Sequence, residues 1–415
     1  MKISIYNLQR ALLYSFVFFG PLGVILSPPF LPNAFRFYYF FLPLFPIFFL
    51  RLKESAWKAI LTFIPFFFYC IVFAYFTENK SVPQEVQPLF RSGLFITQYL
   101  FTFGAAFCVN ACAQEKRRIL CLYLTGFFLS LVVGYTLFWG NYLGFVPMKT
   151  ISRLCIELQT EKQVTEIFWR FSPGSYPNEY GNVSSFVLSV LILLLAERKN
   201  FSLFLYLFIC MAFVSLIFST TRAAYLSFCV TLIYLCLISL PVRRIFLKLV
   251  CLGGCIVFIL MRFFSFDFLH TLVQRFGHIS LKTGSSGVRI AEWIKGFNQL
   301  GHTPLWGTGF GHNIFAHNVY LELLYEMGVI GCMLLLISFI HYFSEHYLQI
   351  RKKFFAQTDK REVLYNRITV IGLIHVLLFA ITNHNMHHHL TWTIFFFFNM
   401  GLVSKKKTFI PNCCY

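Results

Sequence analysis

A histidine and two arginines carry most of the chemistry that this sequence could support. His317 stands where a long polar stretch meets a long apolar run, in the pattern His317-Asn318, nine residues, Gly328-Val329-Ile330-Gly331. An ionisable side chain at the start of an apolar run is costly to keep beside a membrane without a function. The pattern places His317 in the first turn of a membrane helix, where the free N–H groups disfavour the imidazolium and hold the ring neutral as a base. Arg222 and Arg289 fall on the same membrane face in the topology derived below. A base and two fixed cations beside a bilayer suit chemistry on a lipid-linked phosphate.

Each residue sits in a distinctive local pattern. Arg222 follows Ser219-Thr220-Thr221 and opens an apolar run, so Thr221 or Thr220 is the expected N-cap. A helix start that carries an arginine is a natural anion site. Arg289 lies in a stretch where Ile290, Trp293, Ile294, Phe297 and Leu300 repeat at helical spacing, opposite Arg289, Glu292, Lys295 and Gln299. That pattern predicts an amphipathic helix on the membrane surface, capped by Ser286. Asn318 shares the signature with His317, and Gly328 and Gly331 offer a small face for close helix packing. Glu322 and Glu326 lie four apart on one helical face, which suits orienting an arginine better than catalysis. His384, His387, His388 and His389 form a further cluster. They cannot all face one ion and have no acidic or thiolate partner nearby, so polar lining of a cavity is the better reading and no metal site is expected.

The elements that must position these residues are membrane helices. Of the 415 residues, 58% are hydrophobic and only 12% charged, about half the charge of a soluble domain. Apolar runs near 11–27, 34–50, 57–76, 92–112, 119–143, 182–196, 201–218, 222–240, 245–262, 319–340, 363–381 and 388–403 predict about twelve spans in one all-α integral membrane domain, residues 1–415. Pro21, Pro43, Pro46 and Pro65 fall inside runs and should kink them. Most lysines and arginines cluster in alternate short loops, which puts both termini in the cytoplasm. The net charge of +19 therefore sets topology and does not point to nucleic acid. Most of the thirteen cysteines lie in apolar runs, as small buried hydrophobes do. Two long loops face outward, 144–181 and 263–318, the larger between the ninth and tenth spans and carrying the amphipathic helix.

These residues resemble the O-antigen ligase and O-antigen polymerase family of bacterial inner-membrane proteins. His317-Asn318-x9-Gly328-x-x-Gly331 is similar to the ligase signature, spacing included, and Arg222-x3-Leu226 to a second signature at the outer start of a span. Arg289 ahead of Trp293 resembles a third family element, and Pro177-Asn178-Glu179-Tyr180-Gly181 a Pro-Asn stretch in the other outer loop. The resemblance implies a GT-C-like, metal-independent, inverting glycosyltransferase of the inner membrane, active on its periplasmic face and needing no cofactor. The donor would be a glycan on undecaprenyl pyrophosphate, held by Arg222, Arg289 and, more weakly, Arg170. His317 would deprotonate an acceptor hydroxyl on lipid A-core, for a ligase, or on a growing glycan, for a polymerase. Membrane lipids are the other expected partners. A lipid-linked glycan transporter is the alternative of another class, in which the arginines only guide an anionic headgroup.

Overall fold

The computed structural model describes residues 4–22, 37–50, 52, 54–77, 88–109, 113–147, 158–159, 168–169, 177–197, 203–263, 284–310, 316–355, 360–382 and 389–402. They are helical throughout, apart from short turns and one two-residue antiparallel pairing, Leu158–Gln159 (β1) with Phe168–Trp169 (β2). The helices are α1 (Ile5–Phe19), α2 (Phe45–Phe49), α3 (Glu54–Leu61), α4 (Ile64–Thr77), α5 (Pro88–Cys108), α6 (Ala113–Tyr142) and α7 (Pro177–Glu197). They continue with α8 (Leu203–Ser219), α9 (Arg222–Ile238), α10 (Leu240–Phe263), α11 (Gly284–His302), α12 (Val319–Phe355), α13 (Lys360–Thr382) and α14 (His389–Leu402).

Among the described residues, five stretches are long and apolar enough to cross a membrane: Ala56–Phe76, Gln114–Asn141, Asn178–Glu197, Val319–Ser344 and Val363–Ile381. Leu203–Ser219 and Arg222–Ile238 are shorter apolar helices. The chain is thus an all-helical, polytopic membrane protein. Prolines shape the first third of it. Within the run 34–50, residues 37–50 form two 3-10 turns and the short α2 instead of one helix, with Pro43 and Pro46 each at a helix start, where a missing N–H costs nothing.

The two ends of the helix bundle differ in chemistry. At one end, Arg10 of α1 pairs with Glu115 of α6 at 3.2 Å, and Arg367 of α13 with Glu197 of α7 at 2.8 Å. Arg367 also donates to the Ile238 carbonyl at the end of α9. The starts of α1, α6 and α13 and the ends of α7 and α9 therefore meet there, as the alternation of basic loops predicts. The starts of α5, α7, α9, α12 and α14 face the other way, and the candidate residues lie on that side.

Between the ends, polar side chains tie the apolar helices together, because lipid supplies no hydrogen bonds of its own. His375 of α13 holds Ser185 of α7 at 2.8 Å through Nε2, and its Nδ1 lies 2.9 Å from the Ile371 carbonyl. The second contact makes Nδ1 the donor and Nε2 the acceptor of the Ser185 hydroxyl. Tyr342 of α12 donates to Asn399 of α14 at 3.1 Å. Trp392 packs inward with its ring 5.7 Å from Phe95 of α5.

Candidate functional site

Helix α12 is broken where the signature glycines lie. Gly328 adopts φ 63° and ψ −170° inside it, a conformation essentially confined to glycine. The break strands backbone groups in apolar surroundings, and the segment after α11 satisfies them. Thr308 N–H donates to the Tyr325 carbonyl at 2.9 Å and Gly309 N–H to the Glu326 carbonyl at 2.8 Å. In return, Val329 and Ile330 N–H donate to the carbonyls of Pro304 and Leu305, at 3.0 and 3.1 Å. Tyr69 of α4 covers the Met327 carbonyl with its hydroxyl at 2.7 Å. The two backbones touch: a Cβ on Gly328 would fall 2.4 Å from the Leu305 carbonyl oxygen, and one on Gly307 2.5 Å from Glu326. Gly331 serves close packing as expected, since a Cβ there would meet the Tyr69 ring at 2.7 Å. Gly328 instead makes the break.

This stitching fixes the entry to α12. Asn318 caps the helix, its Oδ1 accepting from the N–H groups of Tyr320 and Leu321 at 3.0 and 3.2 Å. His317 therefore stands just ahead of the helix and not in its first turn. Its φ is +49°, a left-handed conformation rare for a residue with a Cβ. The Glu322 side chain, one turn into α12, lies close to the backbone N–H groups of Ala316 and His317. On the other side, the Trp293 indole N–H of α11 donates to the Ala316 carbonyl. Tyr325 of α12 donates to the Trp293 carbonyl at 3.2 Å and stacks edge-on against Phe297 at 5.2 Å. Helix α11 is thereby docked on the start of α12, with Arg289 one turn before Trp293. It begins at Gly284, ahead of Ser286, the cap expected from sequence.

Arg222 arrives from a third helix. Thr221 occupies the N-cap position of α9 as expected, but its side chain does not cap. The Thr221 hydroxyl donates to the Ser219 carbonyl at 3.1 Å and to Asn178 at 3.4 Å. The Pro177–Gly181 stretch, expected in a loop, forms the first turn of α7 and lies against the turn that delivers Arg222. Thr220, like His317, has a positive φ, +48°. The described non-glycine residues with positive φ thus stand directly ahead of the two helices that open at the site, where such strain marks functional positions.

The charges converge. Burial and the nearby Arg222 both pull Arg289 below the usual arginine value. His317 is pushed below its ordinary value of 6.5, first by burial and then by Arg289, against a smaller opposing effect of Glu292. The imidazole is therefore neutral at neutral pH and able to accept a proton. Two like charges drawn together in a half-buried site repel, and an anion between them relieves that repulsion. Arg170, His384, His387 and His388 lie outside the described residues, as does the side chain of His389. Glu326 is buried on α12, deeper than Glu322.

One cation at this end is missing from the sequence expectations. Arg91, in the first turn of α5, lies near the Glu322 carboxyl group. Its signal in the sequence is the one that marks Arg222, an arginine where an apolar run begins.

Residues 206–336 match the family model described as O-antigen ligase. The matched region contains Arg222, Arg289, His317, Glu322 and both signature glycines. No curated protein matches the chain.

Proposed function

From its place in the O-antigen ligase and polymerase family, which the match over residues 206–336 supports, we propose that this protein is a membrane glycosyltransferase. It transfers a glycan from undecaprenyl pyrophosphate to an acceptor hydroxyl, and the spacing of the His317 signature favours O-antigen ligase, with lipid A-core as acceptor. The observation that carries the reading is the convergence of Arg222, Arg289 and His317 within the matched region.

Arg222 and Arg289 hold the pyrophosphate, whose negative charge grows as the bond between the anomeric carbon and the phosphate oxygen breaks. His317 takes the proton of the acceptor hydroxyl while its oxygen attacks the anomeric carbon. Undecaprenyl pyrophosphate leaves, and direct attack inverts the sugar. Arg170 is a further phosphate contact in this proposal. About twelve GT-C-like spans carry the site on the periplasmic face of the inner membrane, with both termini in the cytoplasm.

The test is transfer from a synthetic undecaprenyl pyrophosphate glycan by purified full-length protein. Arg222→Ala and Arg289→Ala should each lower the rate by about 10²–10³, as loss of one transition-state contact does. Lysine at either position should rescue poorly, because a point charge cannot replace a planar fork of donors. Full transfer by well-folded Arg222→Ala and His317→Ala proteins would replace the enzyme reading with transport. Acceptor choice, lipid A-core against a second lipid-linked repeat unit, separates ligase from polymerase.

A further inference from the structure

We propose that the end of the bundle remote from His317 binds an anionic phospholipid, in a crevice between the α3–α4 corner and α12. This site is separate from the one around His317 and independent of the transferase reading.

The crevice has a volume of about 430 Å³. Its two walls run antiparallel and are built alike. Lys58, Thr62 and Pro65 follow one another at helical spacing on one wall, and His341, Ser338 and Leu334 on the other. The Ser338 hydroxyl lies 3.0 Å from the Thr62 carbonyl, which fixes the register. Lys58 therefore stands across from His341, and Pro65 across from Leu334. Pro65 accounts for the corner. It has no N–H for the Leu61 carbonyl, and its ring pushes that carbonyl aside. The chain turns at Thr62 and Phe63, between α3 and α4.

The crevice has the polarity of a phospholipid. Lys58 lies near the start of the apolar stretch Ala56–Phe76, and His341 near the end of Val319–Ser344. Both thus sit where a span meets the headgroups. Exposed Trp57, packed edge-on against Phe49 at 5.3 Å, marks the same level. Pro65 and Leu334 lie two turns along their helices, about 10 Å deeper, among acyl chains. A phosphate at the rim meets the Lys58 ammonium and an imidazole N–H of His341, while a chain runs inward between Pro65 and Leu334. Lys58 also pairs with Glu54 at 2.9 Å, but the two side chains are 62% and 83% exposed. Exposed pairs hold their charges loosely, so the ammonium is available to a lipid. A zwitterionic headgroup brings an ammonium of its own to this cationic rim and is disfavoured.

The test is native mass spectrometry of the full-length protein titrated with phosphatidylglycerol or phosphatidylethanolamine. Crosslinking by a photoactivatable phosphatidylglycerol in vesicles locates the site. Phosphatidylglycerol should bind more tightly, and its crosslinks should fall on residues 334–341. Lys58→Gln should weaken that binding about fivefold, the worth of one lysine near an anionic headgroup. Glu54→Gln should tighten it, because the competing carboxylate is gone. Ile337→Trp should fill the crevice and abolish both binding and crosslinks, since Ile337 lines the same wall. Lys58 and Glu54 are exposed, so their variants keep the fold and decide the matter alone if Ile337→Trp does not. Equal binding of the two lipids would overturn the proposal. So would crosslinks spread around the helices and unchanged in Lys58→Gln, which would leave annular lipid only.

Discussion

The Trp293 indole N–H of α11 donates to the Ala316 carbonyl, the peptide group that leads into His317. One hydrogen bond thus couples the helix carrying Arg289 to the residue proposed as the base. Ala316 is fully buried, so its carbonyl has no access to solvent when the indole is removed. Trp293→Phe keeps the ring and deletes the donor. Leaving that carbonyl unpaired should cost about 1–3 kcal/mol. Much of this should appear as slower transfer, because Arg289 and His317 lose their alignment. The check is kcat beside the midpoint of thermal unfolding. Unchanged kcat with a lowered midpoint would make the contact structural only.

The pH dependence of transfer should report His317 directly. Burial and Arg289 hold its value below the ordinary 6.5. The neutral, competent form therefore persists to lower pH, and activity should fall only as pH drops below the usual histidine range. Removing the neighbouring cation relieves the imidazolium, so Arg289→Gln should move the acid limb upward, on top of its loss in rate. Glu292 acts in the opposite sense, so Glu292→Gln should move the limb downward. A pH–rate profile for each variant decides it. An acid limb that ignores both substitutions would remove His317 from the role of base.

Much of this arrangement was legible in the sequence, for physical reasons. The 3.6-residue pattern around Trp293 specifies the amphipathic α11, and the alternation of basic loops puts Arg222, Arg289 and His317 at one end of the bundle. The break at Gly328 was not legible. A glycine in an apolar run reads as a packing face, and the groups that satisfy the break come from Pro304 to Gly309, some twenty residues upstream. Arg91 was hidden for a related reason. It is far from the other site residues along the chain, and only the folded position of α5 brings it to Glu322. The displacement of His317 from the first turn of α12 follows from Asn318, whose side chain takes the capping position.

Metal independence is a separate expectation. Among the described residues, no cluster of three or more histidine, cysteine or acidic side chains is arranged to hold an ion. The sequence expectation, that His384 and His387 to His389 cannot all face one ion, predicts transfer that survives excess EDTA. Loss of transfer, restored by a single divalent cation, would bring His384 and His387 to His389 into the reaction.

The two signature glycines should fail differently when substituted. At Gly328 the backbone conformation itself excludes a side chain, at a cost of about 1–3 kcal/mol. The added Cβ would also lie 2.4 Å from the Leu305 carbonyl oxygen, which is backbone and cannot rotate away. Gly328→Ala should thus force the Pro304 to Gly309 segment off the break, exposing the groups that it satisfies. At Gly331 the nearest obstacles are the Met327 Cβ at 2.5 Å and the Tyr69 ring at 2.7 Å. A ring can shift, at the expense of its hydroxyl bonds to the carbonyls of Trp306 and Met327. Overpacking of that kind costs about 1–3 kcal/mol. Gly328→Ala should therefore lower the unfolding midpoint more than Gly331→Ala. It should also open the segment around Leu305 to proteolysis, while Gly331→Ala leaves that segment protected. If Gly328→Ala were as stable as the parent and equally protected, α12 would run unbroken through the signature, and the stitched entry to His317 would have to be abandoned.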